Sequence, residues 1–317
     1  MLPNEPALPT RALLDAAGLH PRFRAATERI TSIPTAEGAS DSERLLRDEF
    51  VPSNRPALLQ SALQDWAPVL RWSDDNYLRS AAPDAKVSAR RVASGTVASG
   101  SYESDEISWP TLVDSLAAAS HAGISAAPHY AAQLRLRTSL PTLFADTRPE
   151  PPLLRALGAV WRNAPSAYIG CGARTPLHFD LLENIFCVVT GVKHVALWPP
   201  ADGGLLYPGD DGGATFSRAD IYIPDLEAFP LLREALSHAL HVKVSAGDAL
   251  YIPVGWWHAV STPPGVRSIS VSYWAQQPEG KTWEMRERDE EEAGGAGGGV
   301  NESACAAAAA VEFAVAR

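Results

Sequence analysis

"TPLHFDLLENIFCVVTGVK", residues 175–193, sets two kinds of metal ligand beside an apolar, strand-like run. His178 and Asp180 are two positions apart, so on a β-strand both side chains leave the same face and converge on one point. A third ligand is expected from a neighbouring strand, and His258 in "GDALYIPVGWWHAVS" is the candidate. Two imidazoles and one carboxylate form the facial arrangement that leaves three coordination positions open on a non-haem Fe(II). Taken alone, a His-x-Asp pair is explained equally well as a hydrogen-bonded polar pair on a sheet. Its neighbours favour a metal: Thr175 before it, Asn184 after it, and Lys193 beyond the "VTG" turn. If the ligand strand and the next strand form a hairpin, Lys193 projects into the same cavity and offers an ammonium to an anionic co-substrate.

Together with "EN", "VTGVKHVALWPP", "LYPG", "IPDLEAFPLL", "SAGDALYIPVGWWHAV" and "SISVSYW", the stretch resembles the JmjC-domain (cupin-like) Fe(II)- and 2-oxoglutarate-dependent oxygenases, from about Phe50 to Trp274. Within that superfamily it is similar to the small hydroxylases, typified by the asparaginyl hydroxylase of hypoxia-inducible factor and the JmjC-only protein hydroxylases. The resemblance implies that His178, Asp180 and His258 bind iron, and that Thr175, Lys193 and Tyr130 hold the distal carboxylate of 2-oxoglutarate. Asn184 and Ser272 would sit beside its metal-bound end, where the asparaginyl hydroxylase has an asparagine in place of Ser272. It also implies Fe(II), 2-oxoglutarate and dioxygen as cofactor and co-substrates. Hydroxylation is the implied outcome, and demethylation is the same reaction on an N-methyl carbon.

"NIFCVVTG" and "KHVALWPP" read as short apolar strands around a glycine turn, both continuous enough in hydrophobicity to be covered on two faces. "LHVKVSAGDALYIPVGWWHAVSTPPGVRSISVSYW" reads as three more strands with turns at "AGD" and "PPG". Short strands without long helices between them predict a mainly β fold. The expected form is a double-stranded β-helix (jelly roll) of the cupin/JmjC kind, with flanking N-terminal helices. Residues 1–110 are expected to form a helix and strand region packed on the barrel, 111–276 the barrel core with an insertion at 201–240 that helps cover the active site, and 277–317 a low-complexity tail.

Within the first region, residues 9–33 read as two short helices, and "ASDSERLLRDEF" reads as a helix opening on a Ser or Asp cap. "WSDDNYLRSAA" and "SWPTLVDSLAAA" read as capped helices, the latter with Ser108 as cap. "RPALLQSAL", "KVSARRVA" and "HYAAQLRL" read as strands, and residues 94–106 as a loop near the mouth of the site. Arg90 and Arg91 read as solvated surface, and His238 and His241 as structural or surface residues outside the ligand spacing.

An apolar fraction of 46% builds a full core, and a net charge of −10 argues against general attraction to nucleic acid. Three cysteines, Cys171, Cys187 and Cys305, give no disulfide framework, and no segment reaches the length of a membrane span. The expectation is a soluble protein of the cytoplasm or nucleus, acting on a protein or peptide. The alternatives are a tRNA-nucleoside hydroxylase, a histone demethylase, or a cupin scaffold without activity. An intact ligand triad beside Lys193 argues against the scaffold. Relatives of this kind that dimerise use long C-terminal helices, whereas here the corresponding segment is short and interrupted by glycines, which leaves the oligomeric state open.

Overall fold

The computed structural model describes residues 30–91, 103–123, 129–158, 161–162, 164–209 and 215–276. The expected N-terminal helices lie, apart from their last residues, outside the described residues, as do the tip of the 94–106 loop and the whole C-terminal tail. The strands are β1 (Thr35–Glu37), β2 (Ala57–Gln60), β3 (Lys86–Arg91), β4 (Ser104–Ser108), β5 (His129–Arg135), β6 (Trp161–Arg162) and β7 (Ser166–Cys171). Then follow β8 (His178–Phe179), β9 (Glu183–Thr190), β10 (Val192–Trp198), β11 (Leu240–Ser245), β12 (Ala249–Ile252), β13 (Trp257–Ser261) and β14 (Arg267–Gln276).

They form two sheets. The large one runs β1-β2-β12-β9-β14-β7-β5-β3-β4, with β6 beside β14, and the small one runs β11-β10-β13-β8. From β7 onward the chain alternates between them, except that β10 and β11, joined through the insertion, pair within the small sheet; this is the jelly-roll winding. Three apolar layers result. Ile185, Cys187, Val189, Ile269, Val271 and Tyr273 face outward from the large sheet into the core under the N-terminal elements. Phe186, Val188, Val195, Leu197, Leu250 and Val260 fill the space between the sheets. Phe179, Trp198, Trp257 and Ala259 form the outer layer of the small sheet. β9 is therefore buried at every residue, as its continuous apolar run predicts.

The sequence reading needs four corrections. β9 and β10 are consecutive but not a hairpin, because the chain changes sheets at Gly191; β10 alternates buried and open positions instead of being covered on both faces. The long C-terminal stretch holds four strands, not three, since β11 and β12 also part to different sheets at "AGD". There the Asp248 carboxylate accepts from the Ser61 and Ser245 amides at 2.8 and 3.0 Å, which fixes the turn. The helix expected to open on Ser40 or Asp41 begins earlier, at Gly38, with no side-chain cap; Asp41 falls in its first turn and pairs with Arg44 at 3.1 Å. Finally, β4 begins at Ser104, inside the expected 94–106 loop, because Ser104–Ser108 pair with β3. The caps at Asp74 and Ser108 form as expected.

The insertion packs Leu206, Ala219, Leu232 and Ala235 on the outer layer of the small sheet. His238 meets the buried Asp202 carboxylate at 2.6 Å and ties its two ends together, while His241 is exposed on β11. Arg91 is a surface residue paired with Asp105 and Glu103.

Gly191 makes the sheet crossing possible: its φ is 71°, and a Cβ there would collide with the Arg267 carbonyl oxygen. Replacing Gly191 with alanine should therefore cost more than about 1 kcal/mol of stability, measured as a lower denaturant midpoint at unchanged slope. An unchanged midpoint would show that the crossing tolerates a side chain.

Candidate active site

β8 and β13 are antiparallel neighbours, and His178 and His258 are direct partners across the ladder, so both rings leave the same face of the small sheet. Their centroids are 4.3 Å apart. Asp180, just past the end of β8, adds its carboxylate: Nε2 of His258 lies 3.8 Å from Oδ2. One ligand atom from each of the three lies within 4.8 Å of the other two. Each imidazole turns Nδ1 to a backbone carbonyl, His178 to Pro176 and His258 to Trp256, both at 2.9 Å. Those bonds leave the Nε2 atoms for a metal. Burial, aided by His178 alongside, pushes the His258 imidazolium down, so the ring is neutral, as ligation requires. Trp274 Nε1 donates to Asp180 Oδ2 at 3.0 Å, and the Gly255 amide donates to the Asp180 carbonyl at 2.9 Å. The carboxylate is thus oriented before any metal arrives.

All eight site residues named from the sequence line one cavity between the sheets: Tyr130, Thr175, His178, Asp180, Asn184, Lys193, His258 and Ser272. Lys193 stands on β10 and is 2% exposed, with its Nζ 5.7 Å from the centre of the Tyr130 ring. No carboxylate among the described residues pairs with it, and burial pushes its ammonium down to about 7. The Tyr130 ring lies against Gly170, where a Cβ would come within 2.5 Å of Cδ2, so the close approach requires glycine. Thr175 is more constrained than the sequence suggests. Its hydroxyl accepts from the Val260 amide at 2.9 Å and donates to the Val260 carbonyl at 3.3 Å. Asn184 Oδ1 and the Ser270 hydroxyl are buried without a partner in the cavity wall. Orphaned polar atoms and an uncompensated cation in one cavity fit a polar, anionic ligand, and the donor set beside them fits Fe(II).

Sequence reasoning gave no role to Tyr168, Ser270, Trp274 or Phe216. The first three line the cavity, and the Phe216 ring stacks on His178 at 5.3 Å. Ser270 and Trp274 were within reach, because strand alternation puts them on the same face of β14 as Ser272. Phe216 arrives from the insertion and carries no local signal.

A family model described as a cupin-like domain matches residues 42–280. Among curated proteins, the chain is 34% identical over 118 residues to "Lysine-specific demethylase JMJ31" of Arabidopsis thaliana, covering 37% of this chain and 20% of that one. It is 30% identical over 259 residues to "Jumonji C domain-containing protein 5" of Drosophila melanogaster, covering 78% and 61%. It is 29% identical over 259 residues to "Bifunctional peptidase and (3S)-lysyl hydroxylase JMJD7" of Homo sapiens, covering 71% and 78%. The chain thus spans less than two thirds of the length of the first two. Since the family match runs from before β2 to past β14 and takes in His178, Asp180 and His258, the chain belongs to the cupin-like domain family and has its JmjC oxygenase fold.

Proposed function

We propose that this chain is an Fe(II)- and 2-oxoglutarate-dependent dioxygenase that hydroxylates a side chain of a protein substrate. The observation that carries this reading is one cavity holding both the cluster of His178, Asp180 and His258 and the buried, unpaired ammonium of Lys193. A metal cluster alone suits many reactions, but a cation with no internal counter-charge calls for an anionic ligand. Bound iron would supply the activation of dioxygen, coupled to oxidative decarboxylation of the 2-oxo acid. The protein's share is placement. His178, Asp180 and His258 would hold the metal by three adjoining positions, and Trp274 keeps the Asp180 carboxylate turned toward them. Lys193 would take the distal carboxylate of the co-substrate, with the Tyr130 and Ser270 hydroxyls as further donors. Phe216 and Trp274 flank the histidine and carboxylate ligands with apolar surface, which limits water there. Two of the relatives are named as a lysyl hydroxylase and a lysine-specific demethylase, which supports a protein side chain as target. The net charge of −10 gives no general attraction to a phosphate backbone.

The test is to incubate cell proteins and purified tRNA separately with enzyme, Fe(II) and 2-oxoglutarate, and to follow succinate and product masses. An added oxygen on peptides is expected; one found on nucleosides and never on peptides would sink the protein-substrate reading. Purified protein should bind about one Fe(II) per chain, and Asp180→Ala and His258→Ala should each abolish turnover. A folded Asp180→Ala protein that still consumed 2-oxoglutarate would refute the assigned ligand set.

Lys193→Ala should weaken 2-oxoglutarate binding by about 3 kcal/mol, a hundredfold or more, with iron binding nearly intact. The pH dependence has a fixed sign. With the Lys193 pKa at about 7 in the free protein, binding a carboxylate at higher pH requires proton uptake. Affinity should therefore fall by up to about tenfold per pH unit above about 7, and Lys193→Met should flatten that slope. The same depressed pKa makes the ligand-free fold gain stability as pH rises from about 7 into the ordinary lysine range, because the unfolded chain binds the extra proton there. Calorimetric titration at several pH values, in buffers of different ionisation enthalpy, measures the uptake; no uptake at pH 8 would mean another cation holds the carboxylate.

A further inference from the structure

We propose that Phe216 is a positioning residue for the metal site, which makes the insertion part of the ligand geometry and not only a cover. The inference rests on the reading of His178, Asp180 and His258 as metal ligands. β8 has backbone neighbours on both sides. One is β13; on the other side the Phe179 amide donates to the Thr215 carbonyl and the Ser217 amide to the Leu177 carbonyl, both at 2.9 Å. Phe216 is thereby the antiparallel partner of His178. Because those bonds bracket the pair instead of joining it, the two Cα atoms belong to the closer kind of antiparallel pair, about 4.5 Å apart, whose side chains approach on one face. His178 faces the cavity, so Phe216 does too. Their rings stack with centroids 5.3 Å apart and planes 19° apart.

Phe216 is itself held from beyond. The Gly209 amide donates to the Phe216 carbonyl at 2.9 Å and the Arg218 amide to the Tyr207 carbonyl at 2.8 Å, with Pro208 bridged to Ser217. Residues 215–217 thus lie between two stretches of paired backbone. The Ser217 hydroxyl, buried, donates to the Leu206 carbonyl at 2.6 Å and accepts from the Ala219 amide at 2.9 Å. Further out, the Tyr207 hydroxyl accepts from the Leu231 amide at 2.9 Å, and its ring meets Phe229 at 4.9 Å. The ring of Phe216 is therefore presented by a backbone that is fixed on both sides.

The two imidazoles differ in how they are held. His258 is 3% exposed, whereas His178 is only half-buried. The bond from His178 Nδ1 to the Pro176 carbonyl fixes one atom of the ring. It does not fix the plane. The Nε2 lone pair lies in that plane, so a tilt swings it off the metal, and productive ligand geometry tolerates about 10–20°. The His258 ring, 4.3 Å away, is tilted by 52° and is itself a ligand. A flat support comes from Phe216. An aliphatic side chain of similar size would exclude water equally well but would define no plane, and that difference separates positioning from covering.

Anaerobic titration of the full chain with Co(II), followed by visible absorption, tests this without turnover, because affinity and band positions both report the ligand field. Phe216→Leu and Phe216→Ala should weaken Co(II) binding at least about tenfold and shift the bands, while Phe216→Tyr, which keeps a flat ring, should restore both. Thermal melts verify the fold of each variant; if Phe216→Ala does not fold, Phe216→Leu and Phe216→Tyr decide. The proposal is overturned if Phe216→Leu binds Co(II) with the affinity and spectrum of wild type, since the ring would then only cover. It is equally overturned if Phe216→Tyr binds as weakly as Phe216→Leu. The same holds if Phe229→Ala, which removes packing from Tyr207, weakens binding as much as Phe216→Leu. A wild-type chain that binds no Co(II), or binding that Asp180→Ala leaves undiminished, would instead refute the ligand set and this inference with it.

Discussion

The register of a two-residue strand decides this site. β8 is only His178 and Phe179, and a slip of one residue against β13 would send His178 to the outer face and Phe179 into the cavity. So short a ladder cannot hold its own register, and the flanks supply the constraint. Upstream, the Thr175 amide donates to the Val260 carbonyl at 2.8 Å, and its side chain accepts the Val260 amide. Downstream, the Gly255 amide binds the Asp180 carbonyl. On the outer face, Phe179 packs edge-on against Trp257 at 4.7 Å, which makes a one-residue slip cost a buried aromatic pair. The metal cluster is thus a product of strand pairing already fixed on both sides.

Electrostatics divides the site between the sheets. The small sheet carries His178, His258 and Lys193, whereas the large sheet carries Tyr130, Asn184, Ser270, Ser272 and Trp274. Lys193 is the expensive element, since its ammonium loses hydration on burial and no carboxylate among the described residues pairs with it. The Tyr130 ring softens that cost, and Gly170 lets the ring sit where it does. Glu183 shows the opposite solution. It is a buried carboxylate too, but it accepts from the Tyr251 hydroxyl at 2.8 Å and the Val254 amide at 3.1 Å, so it serves to hold the loop leading to β13.

Which parts were legible in the sequence follows from how local each signal is. The pair His178 and Asp180 was visible because a strand has a period of two and the ligands need one face. The cavity membership of Ser272 reached the sequence reading through family resemblance, but the same alternation would have given Ser270 and Trp274. Lys193 shows the limit. Its place was inferred from a hairpin that does not exist; it reaches the cavity because the chain crosses to the other sheet at Gly191. Local pattern cannot distinguish a turn within a sheet from a crossing between sheets, since glycine serves both. Phe216 and the Tyr130–Gly170 contact depend on segments distant in sequence, and only tertiary packing brings them in.

The division between sheets gives the two proposed ligands different dependences on the fold. The metal cluster needs β8 paired with β13 and the indole of Trp274, all of which meet at one end of the cavity. The region proposed for the co-substrate needs the inter-sheet spacing set by Phe186, Val188, Val195, Leu250 and Val260, because Lys193 and Tyr130 face each other across it. A loosened inter-sheet core would separate the ammonium from its aromatic partner while the β8–β13 ladder stayed paired. Retention of a co-substrate at Lys193 would therefore be coupled to the packing of the whole barrel, whereas ligation of a metal would rest on the β8–β13 register and reach the large sheet only through the bond from Trp274 to Asp180. That difference follows from the topology, since His178, Asp180 and His258 come from the adjacent strands β8 and β13 or the residue after β8, and Lys193 and Tyr130 come from different sheets.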